Sequence, residues 1–338
     1  MRQIASSFTG STVVRRRTLR SLVNSPARLG QIALGLIWCT DGLLKLQPFF
    51  FHHFVSGVID PSAVGQPGVI AGPIKSIASI ITPHQGLFVV LAVLTEVTIG
   101  IGLLVPRTVK PALLLSIPWA LNIWLTGEGV GGLFTGTAPT PLLGILGSAP
   151  LYIIVGLLVW PRKTEHGSES GFGLLGRRGA RAMWAALWIG GAALWIVPSN
   201  AGAHALGGVF TAAPSGANWL TSLHSSAASA IGGSGTTITI ALAVVSAGIG
   251  VSVIWPRGTR ITLLASMALS LSFWVLAEGL GGLFTGQATD VGTGPLMILL
   301  AALLLPLATQ SAPALTHARV PSHALQTQAP PETGPVTA

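Results

Sequence analysis

Long apolar runs separated by short polar segments dominate the pattern of this chain. Each run has about 17–21 residues, the length at which a helix crosses a hydrocarbon core of roughly 30 Å. Because backbone polar groups cannot stay unpaired in lipid, we predict an all-α polytopic membrane protein with about eight transmembrane helices. The runs lie near residues 29–47, 86–105, 111–127, 141–160, 182–198, 235–255, 261–279 and 294–309.

A nine-residue motif occurs twice. E-G-V-G-G-L-F-T-G begins at Glu128, and E-G-L-G-G-L-F-T-G begins at Glu278, 150 positions later. The same spacing joins Trp124 to Trp274 and Trp38 to Trp188. We therefore predict a tandem duplication of two parallel four-helix repeats, at 29–160 and 182–309. After the motif, Pro141-Leu142 resembles Pro295-Leu296, which predicts four inserted residues in the second copy.

The polar segments complete the domain plan. We predict a basic N-terminal segment at 1–28, a mobile linker at 161–181 and a disordered tail at 310–338. Between the runs, 69–81 and 217–231 are predicted to form short helices at the outer membrane interface.

Charge predicts the orientation of the chain. Every lysine and arginine except Lys45 and Lys75 falls in segments that lie on one side of the predicted membrane. Positively charged loops face the cytoplasm, so we expect a multi-pass protein of the cell (plasma) membrane with both termini cytoplasmic. The abundance of alanine, glycine and arginine is typical of a bacterial protein from a GC-rich genome.

Composition agrees with a lipid environment. Half of the residues are hydrophobic and 8% are charged, whereas about 25% are charged in a typical soluble domain. The net charge of +9 lies in clusters between apolar runs, so we expect the lipid bilayer and no nucleic acid as partner. The one cysteine, Cys39, is expected to be a packing residue, and no metal site is predicted.

Three charged residues interrupt the apolar runs of the first copy, and they are the candidate catalytic residues. Asp41 and Lys45 are four residues apart, on one face of the first helix, and Glu96 lies in the middle of the second. The pair could form half of a proton or ligand site, or simply neutralise itself while Lys45 reaches the interface. The carboxyl group of Glu96 is expected either to be protonated or to pair with Lys45 across helices. It could relay protons, contact a quinone-like ligand, or only fix helix packing.

The second copy lacks these charges. At 150 positions beyond Asp41, Lys45 and Glu96 stand Gly191, Trp195 and Ser246. We therefore expect any chemistry of the trio in the first copy alone.

Both copies keep a tryptophan and a glutamate at the outer end of the third helix. The candidate ligand-binding residues are therefore Trp124, Glu128, Trp274 and Glu278, together with the nearby Asp290. The glycines are expected to end the helix and turn the chain back. The glutamates could bind a cation or proton at the outer mouth, or could cap a turn by hydrogen bonding.

The first copy resembles the DoxX/DoxD-like group of four-helix membrane proteins. The matching stretch is 29–48, L-G-Q-I-A-L-G-L-I-W-C-T-D-G-L-L-K-L-Q-P, which contains the Gly-x-x-Lys-Leu pattern at Gly42–Leu46. A glutamate before a glycine-rich stretch also matches, here Glu96 before Gly100 and Gly102. The resemblance covers about 28–160 and implies a link to membrane redox chemistry, since some members look like subunits of quinone-linked sulfur oxidoreductases.

Three functions stay open from the residues. The first is a subunit of a quinone-linked membrane redox system, with a quinone as candidate cofactor and a redox protein as partner. The second is a small-molecule or ion transporter or channel, and the third is a non-catalytic scaffold for a partner protein. Whether the protein is an enzyme is undecided at this point.

Overall fold

The computed structural model describes residues 25–162, 172–254 and 259–309. Every regular element in these ranges is helical. The predicted tail, residues 1–24 of the N-terminal segment and residues 163–171 of the linker lie outside the described residues. The first half, 25–162, contains α1 Pro26–Leu44, α2 Pro48–Phe54, α3 Gly68–Ile81, α4 Gln85–Leu104, α5 Val109–Thr126 and α6 Ala149–Leu158. The second half, 172–309, contains α7 Gly176–Trp195, α8 Ala205–Ala212, α9 Asn218–Ile231, α10 Gly235–Ser252, α11 Thr259–Leu276 and α12 Thr293–Leu304.

Apolar helices long enough to cross a bilayer are compatible with an integral membrane protein. By length and composition four segments of the described chain qualify, or five if α1 and the bent segment after it count as one. This is fewer than the eight runs of the sequence. The qualifying segments are Gly68–Leu104, Val109–Thr126, Gly235–Ser252 and Thr259–Leu276.

The fourth run of the first half is shorter as a helix than predicted. Residues Pro141–Leu143 form a 3-10 turn, and Gly144 and Gly147 adopt left-handed φ angles of 80° and 87°. These conformations interrupt the predicted run 141–160, so that α6 begins only at Ala149. Its counterpart α12 has 12 residues.

Two helix starts differ from the prediction. Ser25 accepts a hydrogen bond from the backbone N–H of Arg28, which begins α1 at Pro26 rather than at 29. Helix α7 begins at Gly176 rather than at 182, because arginine is a good helix former and Arg177, Arg178 and Arg181 can extend the apolar run. The predicted short helices are present as α3 and α9.

Close glycine contacts hold α1 against α4. A Cβ atom on Gly100 would lie 2.4 Å from Cys39 Sγ and 2.7 Å from the carbonyl oxygen of Gly35. At one end of this pair, Arg28 donates hydrogen bonds to the last carbonyls of α4, those of Leu103 (2.9 Å) and Leu104. A cation there satisfies acceptors that a helix end leaves open.

Helices α6 and α12 join the two halves of the chain. Helix α6 packs on α1, α5 and α12, and α12 also packs on α1. One continuous core results, with Trp38 and Tyr152 of the first half and Trp184 and Leu300 of the second.

We predict that Gly100→Ala destabilises the protein by about 1–3 kcal/mol, the usual cost of overpacking a tight contact. The matched control is Gly86→Ala in the same helix. Its Cβ would meet only Phe51 Cδ1 at 3.7 Å, so this variant should be neutral or slightly stabilising. Unfolding in detergent micelles measures both. Equal losses in the two variants would contradict the close contact.

Candidate functional site

A cavity of about 330 Å³ lies inside the first half, and the predicted charged trio lines it. Its lining combines apolar and aromatic side chains with a set of polar and indole groups. The apolar and aromatic side chains are those of Phe54, Val58, Ile59, Ile77, Ile81, Phe88, Ala92 and Ile123. The polar and indole groups are Trp38, Asp41, Lys45, Glu96, Trp119, Asn122, Glu128, Ser148, Tyr152 and Asp290.

Lys45 and Glu96 form a buried ion pair across α1 and α4. The distance from Lys45 Nζ to Glu96 Oε2 is 2.8 Å, and Glu96 is fully buried. The other oxygen of Glu96 accepts a hydrogen bond of 3.1 Å from Trp119 Nε1 of α5. Gly42 allows this approach, since a Cβ on it would lie 3.3 Å from that of Glu96.

Asp41 has partners of its own. Its Oδ2 accepts from the Tyr152 hydroxyl of α6, and its Oδ1 accepts from the backbone N–H of Val291 at 3.1 Å. The self-neutralising pair of Asp41 with Lys45 is therefore wrong. Among the described residues the ion pair is Lys45 with Glu96.

Residues 289–291 of the second half complete the hydrogen bonding of Lys45 and Asp41. The carbonyl of Thr289 accepts a 2.6 Å hydrogen bond from Lys45 Nζ, and Val291 binds Asp41 as described. Between them, Asp290 lines the cavity and is held by Thr289 Oγ1 at 2.9 Å and by the N–H of Gly292 at 2.7 Å. Residues from both halves thus build the site.

Burial makes these partners interdependent. A buried charge left without its partner costs several kcal/mol, whereas a neutral replacement of a whole pair is tolerated much better. The geometry therefore couples Lys45 to Glu96, and Asp41 to Tyr152.

Glu128 caps the start of α6, and Glu278 caps the start of α12. Glu128 Oε1 accepts from the N–H groups of Ser148 and Ala149, each at 2.9 Å, and from the Ser148 hydroxyl. Glu278 Oε2 accepts from the N–H groups of Thr293 at 2.8 Å and Gly294 at 3.2 Å. The capping interpretation is confirmed for both glutamates.

Glycines make room for these carboxyl groups. A Cβ on Gly147 would lie 2.2 Å from Glu128 Oε2, and one on Gly292 would lie 2.2 Å from Glu278 Oε2. Burial raises the pKa of both glutamates to about 7, although their hydrogen bonds act in the opposite direction.

Trp124 holds the chain just before α6, and Trp274 holds it just before α12. The indole N–H of Trp124 donates to the carbonyl of Leu146, and that of Trp274 donates to the carbonyl of Val291, both at 2.7 Å. Neither indole is among the residues that line the cavity. These two predicted ligand-binding residues therefore position the backbone.

The matching contacts correct the predicted alignment of the fourth helices. Ser148 corresponds to Thr293 and Leu146 to Val291, a spacing of 145 positions rather than 150. The second half is thus five residues shorter here, and the pairing of Pro141 with Pro295 is wrong. The two Pro-Leu dipeptides are alike in sequence only. The contacts that recur in both halves are those at the starts of α6 and α12.

The positions of the second half that match the charged trio surround a much smaller space. Trp195 stands 150 positions after Lys45, is buried, and packs its ring 5.8 Å from that of Phe273. With Trp188, Gly191 and Ser246 it lines a space of only about 60 Å³. A bulky tryptophan side chain thus stands at the position that matches Lys45.

Sequence reasoning missed Tyr152, Trp38 and Trp119. Tyr152 is the single tyrosine of the chain, and a polar hydroxyl in an apolar run was the signal available. The ring centroids of Trp38 and Tyr152 lie 4.4 Å apart. The buried Nε1 of Trp38 finds no acceptor among the described residues.

A second space, an open vestibule of about 510 Å³, lies between the halves. Glu128, Glu278 and Asp290 line it, together with Pro214 and Thr140. Glu128, Ser148 and Asp290 also line the inner cavity, so they form the partition between the two spaces.

No protein-family model, curated protein or solved structure matches this chain. The properties of the site therefore rest on its own geometry.

We predict that Glu278 makes stability fall as the pH rises from about 4.5 to about 7. The folded protein holds this proton more tightly than the unfolded chain, whose ordinary value is 4.5. The contribution is fully present below pH 4.5 and is lost toward pH 7, at up to about 1.4 kcal/mol per pH unit.

Unfolding by denaturing detergent at a series of pH values measures this effect. Glu278→Gln keeps an acceptor for the cap and should flatten the slope relative to the wild type. Glu278→Ala leaves the N–H groups of Thr293 and Gly294 unpaired and should be less stable at every pH. Parallel curves for wild type and Glu278→Gln would disprove the titration.

Proposed function

We propose that the protein is an integral membrane protein that binds a quinone-class small molecule in the inner cavity, as a subunit of a membrane redox system. The observation that carries this proposal is the composition of the cavity. Asp41, Lys45, Glu96 and Tyr152 share this space with apolar and aromatic side chains such as Phe54 and Phe88. An amphipathic, planar ligand with polar oxygens is the chemistry that such a space favours.

The chain's own groups fit the polar part of a quinone. Quinone oxygens are hydrogen-bond acceptors, and the buried N–H of Trp38 is a donor without a protein partner in the described residues. The volume of about 330 Å³ falls at the lower end of the roughly 300–1,000 Å³ of small-molecule sites. It suits a ring with the start of an apolar tail.

Each polar residue has a defined task in this proposal. Lys45 offsets negative charge that develops on the ligand, while Glu96 and the Asp41–Tyr152 pair hold and release protons. A bound quinone would supply two-electron, two-proton redox chemistry. Trp119 orients Glu96 through its indole N–H.

We also propose the membrane arrangement expected from the sequence: two parallel four-segment repeats in the plasma membrane of a bacterium, with both termini cytoplasmic. Helix α6 begins at Ala149, whose backbone N–H donates to Glu128, a residue just beyond the end of α5. Its far end lies beside the start of α1, where Gln31 Nε2 donates to the carbonyl of Val159 at 2.8 Å. These contacts support a crossing by the short helix. The resemblance to DoxX/DoxD-like proteins belongs to this proposal.

A transporter for small molecules or ions is the second candidate. The observation that favours it is that the inner cavity and the open vestibule share the lining residues Glu128, Ser148 and Asp290. A ligand that enters from the vestibule and leaves elsewhere would need the partition that these residues form to move. A scaffold role has no comparable feature of its own.

We predict that protein purified in mild detergent carries an extractable quinone in a fixed ratio to the chain. The double variant Lys45→Met/Glu96→Gln removes both charges together, so it should fold while its quinone content falls about tenfold or more. Extraction and mass spectrometry measure the content, with Ser246→Ala as control in the second half. A folded wild type without quinone, before and after addition of quinone, would contradict the proposal.

We predict a smaller effect for Trp38→Phe, which keeps an aromatic ring and removes one hydrogen-bond donor. Affinity for a short-chain quinone should fall roughly fivefold, as expected for one hydrogen bond. Trp188→Phe is the matched control, because that indole N–H is also buried without an acceptor in the described residues but lines the small space. Tryptophan fluorescence quenching gives both dissociation constants. Equal effects of the two variants would place the ligand elsewhere.

A further inference from the structure

The partition between the inner cavity and the open vestibule contains a carboxyl group that belongs to both spaces. Glu128 lines each of them, beside Ser148 of its own half and Asp290 of the other. Asp41, Glu96 and Tyr152 of the inner cavity are, in contrast, buried. A group on the partition is therefore placed to exchange with both sides.

The two capping glutamates differ in one respect. In Glu278 both oxygens are engaged, since Oε1 accepts from the Thr293 hydroxyl and Oε2 from two backbone N–H groups. In Glu128 all three donors converge on Oε1. Its Oε2 is buried and has no partner among the described residues. One oxygen of Glu128 thus holds α6, and the other is available for chemistry.

We propose that Glu128 passes protons between the vestibule and the inner cavity, so that the chemistry of the first half draws its protons through this one carboxyl group. The inference rests on the proposed function, because it supplies the protons which that function consumes or releases. In each passage the Oε2 carboxylate takes a proton from vestibule water. It then gives that proton to an acceptor in the cavity, and the carboxylate is restored.

The titration behaviour of Glu128 agrees with this role. Its pKa, raised by burial to about 7, lets both protonation states be populated near neutral pH. The titratable groups that share the two spaces with it are Asp290 on the partition, Glu278 in the vestibule, and Asp41, Lys45, Glu96 and Tyr152 in the inner cavity. Asp290 also acts to raise the pKa of Glu128.

The single tyrosine of the chain gives a direct probe of this path. Tyr152 lines the inner cavity and donates its hydroxyl proton to Asp41. After transfer into D₂O, infrared bands of isotopically labelled tyrosine follow the exchange of that proton for deuterium. The full-length protein in micelles serves without any added ligand.

We expect exchange at Tyr152 to slow at least tenfold in Glu128→Gln, whose amide still accepts at the cap but does not carry a proton at neutral pH. Glu128→Asp, which keeps a carboxyl group, should restore much of the rate. Glu278→Gln is the matched control and should exchange like the wild type. Unfolding measurements on each variant confirm that the fold is kept.

Equal exchange rates in wild type and Glu128→Gln would overturn the proposal, as would equal slowing in Glu278→Gln. Because this readout needs no quinone, it is independent of the quinone content of the same preparation. Slow exchange in Glu128→Gln with no quinone in the wild type would keep the proton path and reject the redox function. The reverse result would keep the redox function and reject the path.

Discussion

A buried charge must find its partners inside the protein, and this constraint organises the first half of the molecule. Lys45 and Glu96 neutralise each other at 2.8 Å on neighbouring helices. For them to meet, α1 and α4 must approach closely, which the glycine contacts at Gly35, Gly42 and Gly100 allow. The packing of these two helices and the chemistry of the cavity are therefore the same feature.

The constraint also explains what the second half contributes. Lys45 and Asp41 retain hydrogen-bonding capacity after their first partners, and the backbone at Thr289 and Val291 satisfies it. The second half has Trp195 at 150 positions after Lys45, and its segment 289–291 contributes to the site of the first half. The half without the charged trio thus supplies backbone groups that complete the site of the other half.

Parts of this arrangement were predictable from single residues. Asp41, Lys45 and Glu96 are conspicuous as charges within apolar runs, and the repeated motif identifies Glu128 and Glu278. Their partners were predictable only in part. A glutamate without a local base suggests Lys45 as its partner across helices, and this pairing is confirmed. The spacing of four residues suggests Asp41 as the partner of Lys45 instead, and that pairing is wrong. The contact of Asp41 with Val291 joins positions 250 residues apart, and no local pattern encodes such a distance.

The length of α6 was also not predictable from the sequence. A run of apolar residues at 141–160 predicts a long helix, whereas Gly144 and Gly147 take left-handed conformations that end it early. Glycine within an apolar run is compatible with either outcome, and the tertiary contact of Glu128 with the start of α6 decides between them. In contrast, the turn after α5 was expected, because four glycines in nine residues disfavour a continuing helix.

The central claim is that a loop of the second half lies over the charged residues of the first. Site-directed cross-linking tests it most directly, in a background where Cys39→Ala removes the only native thiol. With Lys45→Cys and Thr289→Cys, and Glu96→Gln so that no buried charge is left unpaired, a bifunctional thiol reagent about as long as a lysine side chain should link the halves. Protease cleavage between them would then leave one joined species. If both cysteines react singly with a maleimide and yet never become linked, the second half does not complete this site.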